Sequence, residues 1–268
     1  MIDIMIFSRN RALQLYALLE SMDMYFDMSL VNVSILCRYD VHHVDSLNDV
    51  MNAFPNHNFI DEVNFEPDVK EFLSSPKDYV AFLTDDIIFK DNVNLQNIGV
   101  VLGSNDQILA FSLRMGLHIH ECWSVNKEQP FPPGQIVPPN MFVWNWREGT
   151  YDWGYPFSVD GHIFRKNHFA HMISNLSFNN PNTFEDAIQV LMNVPDMQQG
   201  MVCHTLSSLV NLPINRVQDT HQNRCGLEDS DFLLNEYWVK GKKIDVASYK
   251  KVLNRGAHSD LELFTKDR

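Results

Sequence analysis

Positive charge is in short supply in this chain. Its 268 residues carry 21 Lys and Arg against 34 Asp and Glu, a formal net charge of -13. No basic run stands out, so nucleic acid and anionic membrane surfaces are poor partners. An anionic ligand must therefore be held locally, by a metal or by a few Arg and Lys. Cysteine is also sparse: Cys37, Cys122, Cys203 and Cys225 lie far apart and form no Cys-x-x-Cys. That usage suits reduced thiols in a cytoplasmic protein rather than a disulfide framework. No apolar run approaches membrane-spanning length, so no integral membrane segment is expected, and the first residues lack a basic-then-apolar leader. Internal repeats and low-complexity stretches are missing too. What is plentiful is apolar material, 45% hydrophobic and 12% aromatic, enough for one large or two small cores.

The most informative stretch is Tyr79 to Phe89. Val80, Ala81, Phe82 and Leu83 form a continuous apolar run, the pattern of a strand covered on both faces in an α/β sheet. Thr84, Asp85 and Asp86 follow at once. Adjacent carboxylates at the carboxyl end of a buried strand lie where open α/β sheets bind ligands. They repel each other and need a cation or donors to offset desolvation. A divalent metal carrying a phosphate meets that need; a solvated, capping turn is the plainer alternative.

The rest of the chain supplies a frame for that strand. Ile2 to Phe7 reads as a first strand. Ala12, Leu15, Tyr16, Leu19 and Met22 then mark one helical face. Ser8, Arg9, Asn10 and Arg11 therefore occupy a strand-to-helix turn, which offers backbone N–H groups and cations to an anion. Val31 to Cys37 reads as a second strand ending in Arg38, Tyr39 and Asp40, a set able to stack on and hydrogen-bond a nucleobase. Asn58 to Val63, a helix over 68–74 after Pro67, a helix over 93–102 and a strand over 107–113 complete the alternation. This order predicts a parallel α/β sheet.

From Arg114 to Pro139 the periodicity is lost among prolines, and a long excursion over the sheet is expected. His118 and His120 alternate as metal ligands on a strand would. Trp144, Trp146, Tyr151 and Trp153 offer a platform for the apolar faces of a saccharide or another hydroxylated acceptor. Asp160-Gly161 precedes an apolar pair, and Pro181 to Asp186 opens a helix in which Thr183 is the expected N-cap. Glu185 and Asp186 either complement its dipole or serve as a rigidly placed base. Two short helices, about 230–240 and 246–255, are expected to close the chain before a polar, frayed end.

Four of these features, taken in order, make the chain resemble the GT-A-fold glycosyltransferases, nearest the inverting family-two-like group. They are Asn10-Arg11, Thr84-Asp85-Asp86, Asp160-Gly161 and Phe184-Glu185-Asp186. Thr84 stands where the family's Asp-x-Asp metal motif has its first Asp. The resemblance implies a GT-A (Rossmann-like), mostly parallel sheet over residues 1–226. That region would divide into a nucleotide-sugar half (1–113) and an acceptor and catalytic half (114–226), with a helical extension over 227–268. It implies a nucleoside-diphosphate sugar donor held by Ser8, Arg9, Asn10, Arg11, Arg38, Tyr39, Asp40, Thr84, Asp85 and Gly161. It further implies Mn2+ or Mg2+ on Asp86 and His221, and Asp186 as base with Glu185 as substitute. Three other readings stand beside it: a pyrophosphorylase, a hydrolase built on His118, His120, His168 and His171, and a non-catalytic sugar- or nucleotide-binding protein.

Overall fold

A computed structural model describes residues 1–217, 224 and 230–268. In chain order the first part runs β1 (Ile2–Arg9), α1 (Ala12–Tyr25), β2 (Val31–Arg38), α2 (Val44–Ala53), β3 (Asn58–Asp61), α3 (Phe65–Leu73), β4 (Tyr79–Thr84), β5 (Ile87–Phe89), α4 (Leu95–Ser104) and β6 (Ile108–Ser112). A small hairpin follows, β7 (Glu121–Cys122) with β8 (Lys127–Glu128). Then come β9 (Gly134–Val137), β10 (Met141–Asn145), β11 (His162–Arg165), α5 (Lys166–Ile173), α6 (Pro181–Gln189), β12 (Gly200–His204) and β13 (Leu209–Asn211). The chain closes with α7 (Asp231–Val239), β14 (Lys242–Ile244) and β15 (Thr265–Asp267).

The central sheet has nine strands in the order β3-β2-β1-β4-β11-β6-β12-β10-β9. β1 pairs in parallel with β2 and β4, β2 with β3, and β6 with β12. β11 runs against β4 and β6, and β10 runs against β12 and β9. Most strands therefore share one direction, and the expected α/β class holds. Register puts Phe7 beside Thr84 and Arg9 beside Arg38. The polar residues that end β1, β2 and β4 thus emerge along one edge.

The reason for this stack is visible in β4. Val80, Ala81, Phe82 and Leu83 are all essentially sealed from water. Burying a side chain such as Phe82 contributes roughly 1.5–3 kcal/mol. Alternate residues serve two cores: Ala81 and Leu83 join the one around α1, Val80 and Phe82 the one around α3, α5 and α6. α1 is apolar well beyond one face, with Leu13 and Leu18 buried as completely as Leu15 and Leu19. It needs to be, because the sheet side covers one flank and α7 with β14 covers another.

Several local expectations are corrected. α3 starts at Phe65, so Pro67 lies in its first turn, where no intrahelical N–H is lost. α6 is capped by Asn180 rather than Thr183; Thr183 returns the bond from the third helical position as a capping box. The second closing helix is only a turn, Val246–Tyr249. The chain end is not frayed, because β15 pairs with β14. Among the described residues the C-terminal segment thus holds one α-helix, a helical turn and a two-stranded ladder.

Candidate active site

The carboxyl ends of β1, β4 and β6 gather the charged residues. Asp85 is 3% exposed. Its carboxylate takes a 2.8 Å ion pair from Nη1 of Arg11 and a 3.1 Å hydrogen bond from the backbone N–H of Arg9. Burial pushes the Asp85 carboxyl upward, against the pull of Arg11. Burial alone would lower the Arg11 guanidinium, but Asp85 and Asp86 hold it up. The cation demanded by the paired carboxylates is thus partly supplied by the protein itself. Arg11 also donates to the carbonyl of Asn215.

Asn10 adopts φ 56, left-handed backbone that Asn tolerates better than most residues. The bend turns its side chain toward Asp40, to which it donates at 2.8 Å. Ser8, Asn10, Arg11, Arg38, Tyr39 and His43 line a small recess beside β1 and β2. Tyr39 donates to Asp61 at 2.9 Å, and Arg38 faces Glu62 at 3.6 Å. A hollow of about 880 Å³ lies at the opposite, amino end of the strands among Asp3, Asn32, Ser34 and Asn58. It collects none of the predicted site residues.

Thr84 is the centre of a second cluster. Its hydroxyl lies 2.8 Å from Oδ1 of Asp86 and 2.7 Å from Oδ1 of Asp160. One hydroxyl proton serves only one carboxylate oxygen at a time. The other contact needs a shared carboxyl proton or a nearby cation. Asp160 also meets Nε2 of His258 at 3.3 Å and Nη1 of Arg114 at 3.6 Å. Burial would raise the Asp160 carboxyl, but His258, Arg114 and Thr84 hold it well below the usual carboxylate range. His258 is raised in turn by Asp160, against its own burial.

The fold explains how His258 arrives here. β13 pairs with β5, which directly follows Asp86. Asn211 at the end of β13 then holds the terminal segment through its bonds with Ala257 and Ser259. Arg114, just past β6, bridges Asp160 to Asp152, 2.7 Å away, and donates to Ser158 at 2.6 Å.

Glu185 in the first half of α6 turns its carboxylate inward and accepts from the backbone N–H of Val159 at 3.0 Å. Burial, then the charge of Asp160, raises its carboxyl to about 7. Asp186, the next residue, is exposed. Gly161 has φ +87, and a Cβ there would meet Leu209 at 2.6 Å. Its need for glycine comes from packing among leucines as well as from backbone conformation.

Other expectations sort out less well. Trp144, Trp146 and Trp153 are buried to within a few per cent, and their indole N–H groups bond Trp153, Gln198 and Ile119 carbonyls. They form core rather than a surface platform. Tyr151 alone of the four is exposed. His118 and His120 are not on a strand: His118 meets Ser207 at 3.1 Å, and His120 meets Arg255 at 3.0 Å. His221 lies outside the described residues. Arg114 and His258 were missed by sequence reasoning. Arg114 carried a signal, being the first cation after an apolar strand; His258 carried none, since its place depends on a distant pairing.

No family model matches the chain. Its sequence is 27% identical over 286 aligned residues to the bifunctional glycosyltransferase pgtA of Dictyostelium discoideum, covering 93% of this chain. The chain thus resembles a glycosyltransferase. It spans 37% of the length of that relative. Among solved structures, S. aureus TarS 1-349 is 10% identical with a TM-score of 0.48, covering 76% of this chain and 58% of that one. The mannosyltransferase PcManGT from Pyrobaculum calidifontis, in complex with GDP-Man and Mn2+, is 11% identical with a TM-score of 0.33. That likeness covers 41% of this chain and 34% of PcManGT. The Thr84 cluster and Glu185 thus sit in a chain whose sequence likeness runs to glycosyl transfer.

Proposed function

We propose that this chain transfers a sugar from a nucleoside-diphosphate sugar to an acceptor hydroxyl, with inversion, at the carboxyl edge of the sheet. The carrying observation is the convergence of Asp86 and Asp160 on the one hydroxyl of Thr84, with Arg114 and His258 around Asp160. The similarity to a glycosyltransferase over 93% of the chain supports it.

The turns carrying Ser8, Asn10, Arg11, Arg38 and Tyr39 flank the nucleoside, with Asp40 at their edge and Arg9 beside them; the hollow between them, about 10 Å³, must open to admit it. The diphosphate then lies toward Thr84 and Asp86. The donor set there fits a divalent cation, because two carboxylate oxygens share a single hydroxyl proton. Asp86 and Asp160, with His258 beside them, would hold Mn2+ or Mg2+. When bound, the metal supplies Lewis-acid charge to the diphosphate.

Glu185 takes the proton from the acceptor hydroxyl. The acceptor oxygen bonds to the anomeric carbon as its bond to the phosphate oxygen breaks, and the nucleoside diphosphate leaves. A carboxyl near 7 is well poised for this step at neutral pH. Asp186, the exposed neighbour, is the alternative base. Tyr151 is the acceptor contact retained from the four rings. A reducing, cytoplasmic setting accords with the unpaired Cys37, Cys122 and Cys203, and no helix among the described residues is long and apolar enough to cross a membrane.

The test is donor turnover by Glu185→Gln and Asp186→Asn, read as nucleoside-diphosphate release with donor binding measured separately. Loss of turnover with binding intact in Glu185→Gln supports the assignment. Full turnover in Glu185→Gln and loss in Asp186→Asn moves the base to Asp186. Full turnover in both refutes the mechanism.

A further inference from the structure

We propose a second metal site, distinct from the Thr84 cluster and at the rim of the nucleoside recess, in which His43 and Asp231 clamp α7 onto the turn after β2. It does not rest on the transferase reading. His43 is 1% exposed. Its Nδ1 lies 2.8 Å from Oδ1 of Asp40, and its Nε2 has no hydrogen-bond partner among the described residues. That Nε2 points at Oδ2 of Asp231, 3.9 Å away, in the first turn of α7. Asp40, His43 and Asp231 each offer one ligand atom, all within 4.8 Å of one another.

The arrangement has the parts of a metal-binding histidine. A ligating imidazole commonly gives its other N–H to a carboxylate, which fixes the ring and its tautomer. Here Asp40 does so, leaving the Nε2 lone pair buried and aimed at a second carboxylate. Asn10 steadies both acids, donating from Nδ2 to Asp40 at 2.8 Å and to Asp231 at 3.2 Å. Phe232 covers the histidine, its ring centre 5.6 Å away. With Asp40 behind the ring, Nε2 of His43 and the Asp231 carboxylate would be the ion's two protein ligands, with water completing the shell, a nitrogen-oxygen set that suits Zn2+ or Mn2+. A tetrahedral zinc with bonds of roughly 2.0–2.2 Å wants its ligand atoms about 3.4 Å apart. Asp231, at the half-exposed start of α7, needs only a small inward shift. The clamp would fix Asp40 and Asn10 at the rim of the recess and close the chain's last helix over it.

The probe is Zn2+ alone, titrated into the full chain against a chromophoric chelator, without nucleotide. Wild type and Asp86→Asn should each bind one equivalent at this site. Asp231→Asn should bind it at least 10-fold more weakly and lose most of the Zn2+-induced rise in Tm. His43→Gln should behave likewise, and because His43 is buried, Asp231→Asn carries the test if that variant fails to fold. Anomalous scattering from a zinc-soaked crystal should place the ion between His43 and Asp231. Equal Zn2+ affinity in wild type and Asp231→Asn, or an anomalous peak elsewhere, overturns the proposal. The Zn2+ titration is read without nucleotide, and the turnover assay without Zn2+, so the two proposals fail separately.

Discussion

The hydroxyl of Thr84 lies 2.7 Å from a carboxylate oxygen of Asp160, a residue 76 positions along the chain. Thr84 stands where the resembled family has an acid, and Asp160 brings one back from the start of β11. Thr84→Val should therefore remove the hydroxyl between Asp160 and Asp86. The loss of a bond to a charged group costs about 1.5–3 kcal/mol, with Arg11, Arg114 and His258 still facing the two acids. Urea denaturation at neutral pH should show that loss, and Mn2+ should restore part of it. Unchanged stability would remove Thr84 from the account.

Arg11 and Asp85 form the buried pair under the site, with side chains 9% and 4% exposed. Arg11→Ala leaves Asp85 buried against Asp86 without its cation. Breaking a buried pair from one side costs about 3–5 kcal/mol. Asp85→Asn in the Arg11→Ala background should recover part of that loss. A double variant no more stable than Arg11→Ala would mean the pair is not what stabilises the turn.

Glu185 titrates late, its carboxyl raised by burial to about 7. As a base it must be ionised, so wild-type kcat should climb through about pH 7, and Glu185→Gln should lose roughly 100- to 10,000-fold. The stability effect has the opposite sense. A raised carboxyl means that the folded chain holds a proton the unfolded chain has released, so stability falls as pH rises from about 4.5 to about 7. Glu185→Gln should flatten that slope in thermal melts. A slope unchanged by the substitution would show that Glu185 is not the group titrating there.

His258 is raised by Asp160, and Asp160 is lowered by His258. The raised imidazole stabilises fully below its unfolded value of about 6.5, and that stabilisation is lost as pH rises through its higher folded value. The lowered carboxyl works in reverse, its contribution disappearing only as pH falls through its depressed value. The pair should thus stabilise most in mildly acidic solution. His258→Gln should remove the decline seen between neutral and alkaline pH; the same decline in the variant would assign it to another group.

Much of the sheet was legible because buried strands announce themselves. Val80 to Leu83 and Ile2 to Phe7 are apolar without interruption, and the acids and cations after them mark the ligand edge. Glu185 and Asp186 were legible as a pair of acids, but sequence does not say which carboxylate turns inward on α6. The tryptophans misled for a physical reason. Indole rings suit a sugar platform and a core equally well, and Trp153 bonds Ile119 across a loop that has no periodicity. His258 was out of reach altogether. It comes to Asp160 through Asn211, a contact written in no local pattern.

The most direct test of the central claim is donor binding. Tm should be measured with UDP, GDP, CDP and dTDP, each with Mn2+ and with EDTA, on wild type and Asp86→Asn. A ligand bound by the folded chain alone raises Tm by mass action. The account predicts a rise with one nucleotide in Mn2+, reduced by EDTA and by Asp86→Asn. No rise with any of the four, in a chain that melts cooperatively, would contradict it.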